Sequence, residues 1–178
     1  MIDESLVKQI RAKAHSYENF SGCTQAVLLA LQEDLEIGDL QSYKAATAFA
    51  GGVGRRGETC GALIGALMGL GLEMGREKKE DTPKLNETVT EANIVIDQFL
   101  SKLQHEYGWS SPPPNTICRD LQQLIYGRKW KMTDLAERQS FIAAGGHSDQ
   151  GCLKVCGIAA EAAAEEILRL REKQQVFS

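Results

Sequence analysis

The sequence has few prolines, few aromatic residues and no excess of positive charge. Only four of the 178 residues are proline, and three of them stand together at 112–114, so helices elsewhere are seldom interrupted. No useful length of chain alternates between polar and apolar residues, which argues against strands. The net charge of −4 lacks the clustered lysine and arginine of nucleic-acid-binding proteins. These absences favour an all-α protein that does not bind nucleic acid.

Long apolar stretches are also missing. The longest, residues 60–72, ends before Glu73 and is shorter than the roughly 20 residues that a membrane-spanning helix needs. Residues 1–20 are charged and amphipathic and contain no apolar signal-peptide core. We therefore expect no membrane span and a cytoplasmic location for the chain as given.

Apolar residues instead recur at helical spacing, in segments separated by capping residues, glycine and proline. This pattern predicts one all-α domain over residues 1–178, a bundle of about seven helices, with a proline-rich linker at 109–116. A long amphipathic helix is expected after Thr82 and Pro83. We expect its apolar stripe to pack within the protomer, with a dimer contact as the alternative; the stripe consists of Leu85, Val89, Ala92, Ile96, Phe99 and Leu103.

Five cysteines stand out against this background. In a cytoplasmic protein, metal binding or redox chemistry is a better explanation for them than structural disulfides. Four of them closely follow a capping residue and begin an apolar helix: Cys23, Cys60, Cys118 and Cys152. A helix N-terminus favours thiolate over thiol, and four neighbouring thiolates repel one another unless a cation compensates. This favours a metal or an iron–sulfur cluster, and disulfide pairing is the alternative.

The cysteine spacing carries no standard metal signature. There is no C-x-x-C pair, so any site must be assembled by tertiary structure, and the absence of C-x-x-C-H argues against covalent haem. Cys156 follows Cys152 by one helical turn on the same face, so either could be the fourth ligand. Among the histidines only His147, shortly before Cys152, is a plausible member of the site, although a surface position is favoured for it.

Residues 51–71 form a glycine-rich turn that leads into a helix with glycine at every fourth position. The turn carries Arg55 and Arg56 and could form an anion-binding nest for a nucleotide, but it lacks the ending of a P-loop. The repeated glycines are better explained by close helix packing. We expect Cys60 in the first helical turn as a ligand or thiolate, with the arginines offsetting its charge. The residues expected to support the site are Arg55, Arg56, Glu58, Thr59 and Gly61.

Four segments of the chain carry a resemblance to a known family. They are Gly22-Cys-Thr-Gln-Ala-Val, Gly51-Gly-Val-Gly-Arg with Glu58-Thr-Cys-Gly-Ala-Leu-Ile-Gly, Cys118-Arg-Asp-Leu, and Cys152-Leu-Lys-Val. Together they resemble the family of redox-active proteins that is named for its C-GCAxxG-C-C pattern. The resemblance implies a mostly helical protein with four characteristic cysteines, often encoded beside oxidoreductases or transporters. The sequence departs from the family pattern at Thr24, where alanine is common in the family, and in the proline-rich insert before Cys118.

A related domain forms the N-terminal part of split-Soret cytochromes, where a cysteine-bound, iron-containing centre is proposed. We therefore expect a redox-active protein that passes electrons to a partner oxidoreductase through an iron–sulfur cluster or other metal ion. The glycine-patterned helix and the long apolar stripe over residues 83–107 offer surfaces for a homodimer, which we also expect. The expected ligands are Cys23, Cys60, Cys118 and Cys152, with Cys156 as the alternative to Cys152. Two other hypotheses remain open: a metal-free thiol–disulfide protein that uses the same cysteines, and a helical interaction module in which the cysteines only pack.

Overall fold

The computed structural model describes residues 2–20 and 22–177, with side chains described up to residue 175. Within these residues it contains eight α-helices and no strand, which confirms the all-α prediction with one helix more than expected. The helices are α1 (Glu4–Tyr17), α2 (Cys23–Leu35), α3 (Leu40–Ala45), α4 (Gly61–Met74), α5 (Thr82–Tyr107), α6 (Cys118–Tyr126), α7 (Leu135–Ala143) and α8 (Cys152–Phe177). Short 3₁₀ turns, Glu18–Phe20 and Ala46–Phe49, follow α1 and α3. None of the described helices combines the length and apolarity needed to cross a membrane.

The final helix, α8, is the centre of the bundle. It packs against α1, α2, α4 and α5. Alanine is the commonest residue at its buried positions, and such small side chains let several helices approach it at once. The fully buried residues of α8 include Ala159, Ala160, Ala162, Ala163, Ala164 and Ile167.

Helices α2 and α4 approach closely because α4 carries glycine at the contact positions. A Cβ atom at Gly65 would lie 2.4 Å from the carbonyl oxygen of Thr24, and one at Gly69 would lie 2.5 Å from Cδ1 of Leu31. The predicted packing role of these glycines is therefore confirmed. At the N-terminal end of the same contact, a Cβ atom on Gly61 would lie 2.5 Å from the Cys23 sulfur. The close packing thus brings the starts of α2 and α4 together.

Backbone hydrogen bonds tie the start of α6 to the start of α4. The N–H of Cys60 donates to the carbonyl of Thr116 at 2.8 Å, and the N–H of Cys118 donates to the carbonyl of Glu58 at 2.6 Å. Thr59 and Ile117 form an isolated antiparallel bridge between these two segments. The end of the proline-rich segment 109–116 therefore serves to seat α6 beside α4.

Two expectations about helices need correction. The apolar residues at 40, 43, 46, 48 and 49 predict a third helix that runs into the glycine-rich turn, but α3 ends at Ala45 and the chain continues as a 3₁₀ turn. The stripe on α5 was expected to be buried along its length, but Leu85 and Val89 are exposed and burial is complete only at Val95, Phe99 and Leu103. The apolar spacing is helical throughout, whereas burial also requires a neighbouring helix, and the connector that leads into α5 is exposed.

Candidate functional site

All five cysteines line a single cavity of about 360 Å³. Three of them are the first residues of their helices, namely Cys23 of α2, Cys118 of α6 and Cys152 of α8. Cys60 is the N-cap residue of α4, one position before the first turn in which we expected it. The starts of four helices, which are far apart in sequence, therefore meet around one space.

Local backbone geometry explains two of these placements. Gly22, the N-cap of α2, has a φ of 133°, which side-chain-bearing residues rarely adopt, and this conformation turns the chain directly into Cys23. Cys60 is extended, with φ −56° and ψ 124°, and its carbonyl accepts the N–H of Ile64 at 3.0 Å. Cys60 thus starts α4 while its own backbone remains outside the helix.

The fifth cysteine belongs to the same cavity. Cys156 is fully buried one turn after Cys152, and its sulfur lies 3.9 Å from the carbonyl oxygen of Cys23. The sequence left open which of the two cysteines on α8 faces the site, and in the structure both line the cavity. The position of Cys156 was signalled by its one-turn spacing from Cys152.

Two polar side chains contact the sulfur atoms. The hydroxyl of Tyr126 lies 3.7 Å from the Cys152 sulfur, and Nε2 of Gln122 lies 3.8 Å from the Cys118 sulfur. Gln122 is one turn after Cys118 on α6, so its place on the same helix face follows from the helical repeat. Both groups can donate a hydrogen bond to sulfur and would favour a negatively charged thiolate.

Burial sets the ionisation of the thiols. It raises the pKa of Cys23 to about 12, with further contributions from the nearby Glu18 and Cys60. The pKa values of Cys118, Cys152 and Cys156 are raised well above the ordinary thiol value, first by burial and then by Glu18 and neighbouring cysteines. The expectation that helix N-termini make these thiols acidic is therefore wrong for the thiols by themselves. Loss of water around the sulfur outweighs the effect of the helix ends.

The thiols surround the cavity without forming a compact cage. Among residues 2–20 and 22–177, no three histidine, cysteine, aspartate or glutamate side chains lie close enough to hold one metal ion. All five thiols are free, and none is joined in a disulfide. A tetrahedral zinc site needs its sulfur atoms about 2.3 Å from the metal, so a single ion does not fit this arrangement.

Glu18 and His147 also line the cavity; His147 is the histidine that stands close to Cys152 in sequence, whereas Glu18 was not expected at the site. Nδ1 of His147 lies 3.6 Å from Oε1 of Glu18, while the buried Oε2 of Glu18 accepts no hydrogen bond from the described residues. The surface position favoured for His147 is wrong, because the ring stacks edge-on against Phe141. A sequence signal for Glu18 exists, since it continues the buried face of Ile10 and Ala14 at a spacing of four.

The five residues expected to support the site have different surroundings. Arg55 lines the cavity, whereas Arg56 lines a shallow pocket beside it with Lys131 and Thr133. The carboxylate of Glu58 pairs with Arg119 at 2.6 Å. Thr59 belongs to the bridge with Ile117, and Gly61 faces the Cys23 sulfur.

The glycine-rich turn does not have the geometry of a nucleotide-binding nest. Its residues 51–55 all have positive φ, including Val53 and Arg55, where this conformation is strained. The N–H groups of Val53 and of residues 55–58 donate to carbonyls within the segment 49–53. These five donors are therefore not free to bind a phosphate.

Comparison with known proteins agrees with the geometry. A family model described as putative redox-active protein (C_GCAxxG_C_C) matches residues 21–166, which include all five cysteines. A search of curated proteins found no match. A search of solved structures also found none. Because the family model covers most of the chain, the protein belongs to the C_GCAxxG_C_C family of putative redox-active proteins.

Proposed function

We propose that the cavity is the redox centre of this protein and that its cysteines hold an iron–sulfur cluster or other metal centre for electron transfer. The observation that carries the proposal is the convergence of five cysteines, from four helix starts, on one cavity. Cys23, Cys60, Cys118 and Cys152 would hold the centre from four directions. Cys156, on the same face of α8 as Cys152, would be available as the replacement ligand.

The donor chemistry supports this proposal. Thiolates are ligands for soft metals and for iron–sulfur clusters, and the other polar groups in the cavity are too few and too scattered to form a harder site. No three possible ligand side chains of the described residues lie close enough to share one ion, so binding of a centre would have to draw the thiols closer together. A bound cationic centre would reverse the effect of burial on the thiols, because it stabilises the thiolate directly. Such a centre supplies one-electron transfer when bound.

The protein's own residues hold and shield this site. Burial raises the pKa of the Cys60 thiol, and the N–H groups of Leu63 and Ala62 at the start of α4 oppose this rise. Tyr126 and Gln122 donate toward the sulfur atoms of Cys152 and Cys118. Burial keeps water from most of the sulfur surface, which limits loss of the centre and unwanted oxidation.

The test is metal and sulfide analysis with a visible spectrum on protein purified without oxygen. We expect bound metal and a charge-transfer band in the wild type, and loss of both in Cys60→Ser. Val155→Ala is the matched control, since Val155 lines the same cavity but carries no sulfur. A wild-type protein without metal or band, or a Cys60→Ser variant that retains both, would contradict the proposal.

A metal-free thiol–disulfide protein is the second candidate. It is favoured by the observation that all five cysteines are free thiols around one space. In this chemistry two thiols form one S–S bond and release two electrons and two protons to the disulfide of a partner, which becomes two thiols. Metal-free protein that forms a reversible internal disulfide would support it.

A helical interaction module is the third candidate. In that case Cys60→Ser would reduce the stability of the protein and change nothing else.

We further propose a cytoplasmic homodimer that exchanges electrons with a partner oxidoreductase. The family description supports a redox role, and the exposed apolar residues Leu85 and Val89 on α5 support self-association. Gly61, Gly65 and Gly69 of α4 pack against α2 and do not contribute to this surface.

A further inference from the structure

Three arginines at the cavity differ from the other arginines of the chain. Five of the others bind carboxylates, and Arg76 binds a backbone carbonyl. Within residues 2–20 and 22–177, the side chains of Arg55, Arg56 and Arg138 make no ion pair or hydrogen bond. The unpaired guanidinium groups of an otherwise acidic protein are therefore gathered in one place.

Nearby carboxylates do not neutralise this charge. Arg119 holds the carboxylate of Glu58 at 2.6 Å, and Arg128 holds that of Glu137 at 2.9 Å. Asp134 caps α7 by accepting the N–H of Glu137. Glu18 is buried beside His147 on the inner wall of the cavity. The positive charge thus remains available to a ligand.

Arg55 and Arg138 both line the cavity, and their partial exposure identifies its mouth. Arg56 and Lys131 lie in the shallow pocket that also includes Arg55, so four basic side chains border the opening. The thiols come from other elements, at the starts of α2, α4, α6 and α8. An anion held at the mouth would therefore meet the thiols with its other end.

Apolar side chains line the same side of the cavity. Phe141 and Ile142 share a face of α7 with Arg138, and Met132 precedes that helix. An apolar wall with one or two charged groups is the usual lining of a site for a small organic molecule, and about 360 Å³ is within the usual size range. We propose that this mouth binds a small organic anion, with a carboxylate, phosphate or sulfonate on Arg55 and Arg138, and presents it to the cavity thiols.

This inference rests on the proposed redox role of the thiols, and charge-selective thiol chemistry tests it. The probes are two aromatic disulfides: 5,5′-dithiobis(2-nitrobenzoate), which carries two carboxylates, and 4,4′-dithiodipyridine, which is neutral. We expect the wild type to react preferentially with the anionic disulfide at low salt. The rate with the anionic disulfide divided by the rate with the neutral one should fall about tenfold in the Arg55→Gln/Arg138→Gln variant. The same ratio should also fall in high salt.

Arg128→Gln is the matched control, because it removes a surface arginine of the same region that is already paired with Glu137. It should keep the wild-type ratio. An unchanged ratio in the double variant would overturn the proposal. If neither reagent reacts, the binding of benzoate is compared with that of neutral benzamide. Selective binding of benzoate that the double variant loses supports the anion site. A wild type that does not bind benzoate selectively overturns it. Metal analysis of the same samples is a separate readout, so failure of the redox proposal is distinguished from failure of the anion site.

Discussion

Glu18 shows how strongly burial in this cavity changes the pKa of a single side chain. Only 3% of Glu18 is exposed, and burial raises the pKa of its carboxyl to about 8, with the N–H of Gly22 opposing the rise. The carboxyl is thus protonated in the folded protein at pH values where it is ionised in the unfolded chain. A neutral acid next to neutral thiols is the low-charge state that burial favours.

The raised pKa makes stability depend on pH. Because the folded state holds the proton more tightly, the contribution of Glu18 is fully present below pH 4.5, the ordinary pKa, and is lost as pH rises to about 8. The free energy of unfolding should fall by at most about 1.4 kcal/mol per pH unit over this range. Glu18→Gln should flatten this dependence between about pH 5 and 8, as measured by urea unfolding of reduced protein. Exposed Glu80→Gln is the control, and parallel wild-type and Glu18→Gln profiles would contradict the assignment.

At the residue scale, the sequence predicted which cysteines begin helices but not which polar residues join them. Cys23, Cys118 and Cys152 could be placed because capping residues and glycines mark helix starts locally. Arg138 could not be placed, because its role depends on which helices meet. For Glu18 the spacing from Ala14 indicates a buried position but not the thiols that its carboxyl faces, and a glutamate is ordinarily solvent-exposed.

At the element scale, the contact between α2 and α4 controls the site. The glycines of α4 let the helix backbones approach, and the same contact places Cys60 next to Cys23. Glycine at every fourth position is a local pattern, so close packing could be predicted from sequence. The identity of the partner helix could not be predicted, because the glycine spacing does not specify which helix packs against it.

Two glycines of α4 provide a matched test of this contact. Gly65→Ala would place Cβ 2.4 Å from a backbone oxygen of Thr24, whereas Gly71→Ala meets nothing within 4 Å. We expect Gly65→Ala to lose about 1–3 kcal/mol of unfolding free energy through overpacking. Gly71→Ala should be neutral or gain up to about 1 kcal/mol from helix propensity. Denaturant unfolding measures both, and equal stabilities for the two variants would refute the packing role of Gly65.

At the scale of the whole molecule, the site depends on the complete bundle. The cysteines are widely separated in sequence, and no two of the four helix-start cysteines belong to the same helix. Helix periodicity indicates which face of each helix is apolar, but it does not indicate how eight helices are arranged. The all-α class was therefore predictable from sequence, as was the presence of Cys152 or Cys156 at the site, whereas the cavity itself and its lining by both of these cysteines were not.

The exposed start of α5 gives a prediction about assembly. Leu85 and Val89 lie one turn apart on one face, and half of Val89 remains exposed. If this face forms the proposed homodimer, Val89→Glu should produce monomers, because a charge in an apolar contact is costly to bury. Light scattering coupled to size exclusion measures the mass. Leu40→Glu, on α3, is the control and should leave the dimer intact, while a monomeric wild type would contradict the assembly.

The central claim is that cysteines from four helix starts act as one redox centre, and an anaerobic redox titration tests it most directly. The wild type, followed by visible absorption and by the count of free thiols, should show one reversible transition. Each of the variants Cys23→Ser, Cys60→Ser and Cys118→Ser should abolish that transition while helical circular dichroism is retained. Because Cys156 can replace Cys152, the same loss on α8 is expected of the double variant Cys152→Ser/Cys156→Ser. A wild type without a reversible transition, or single variants that keep it unchanged, would contradict this account.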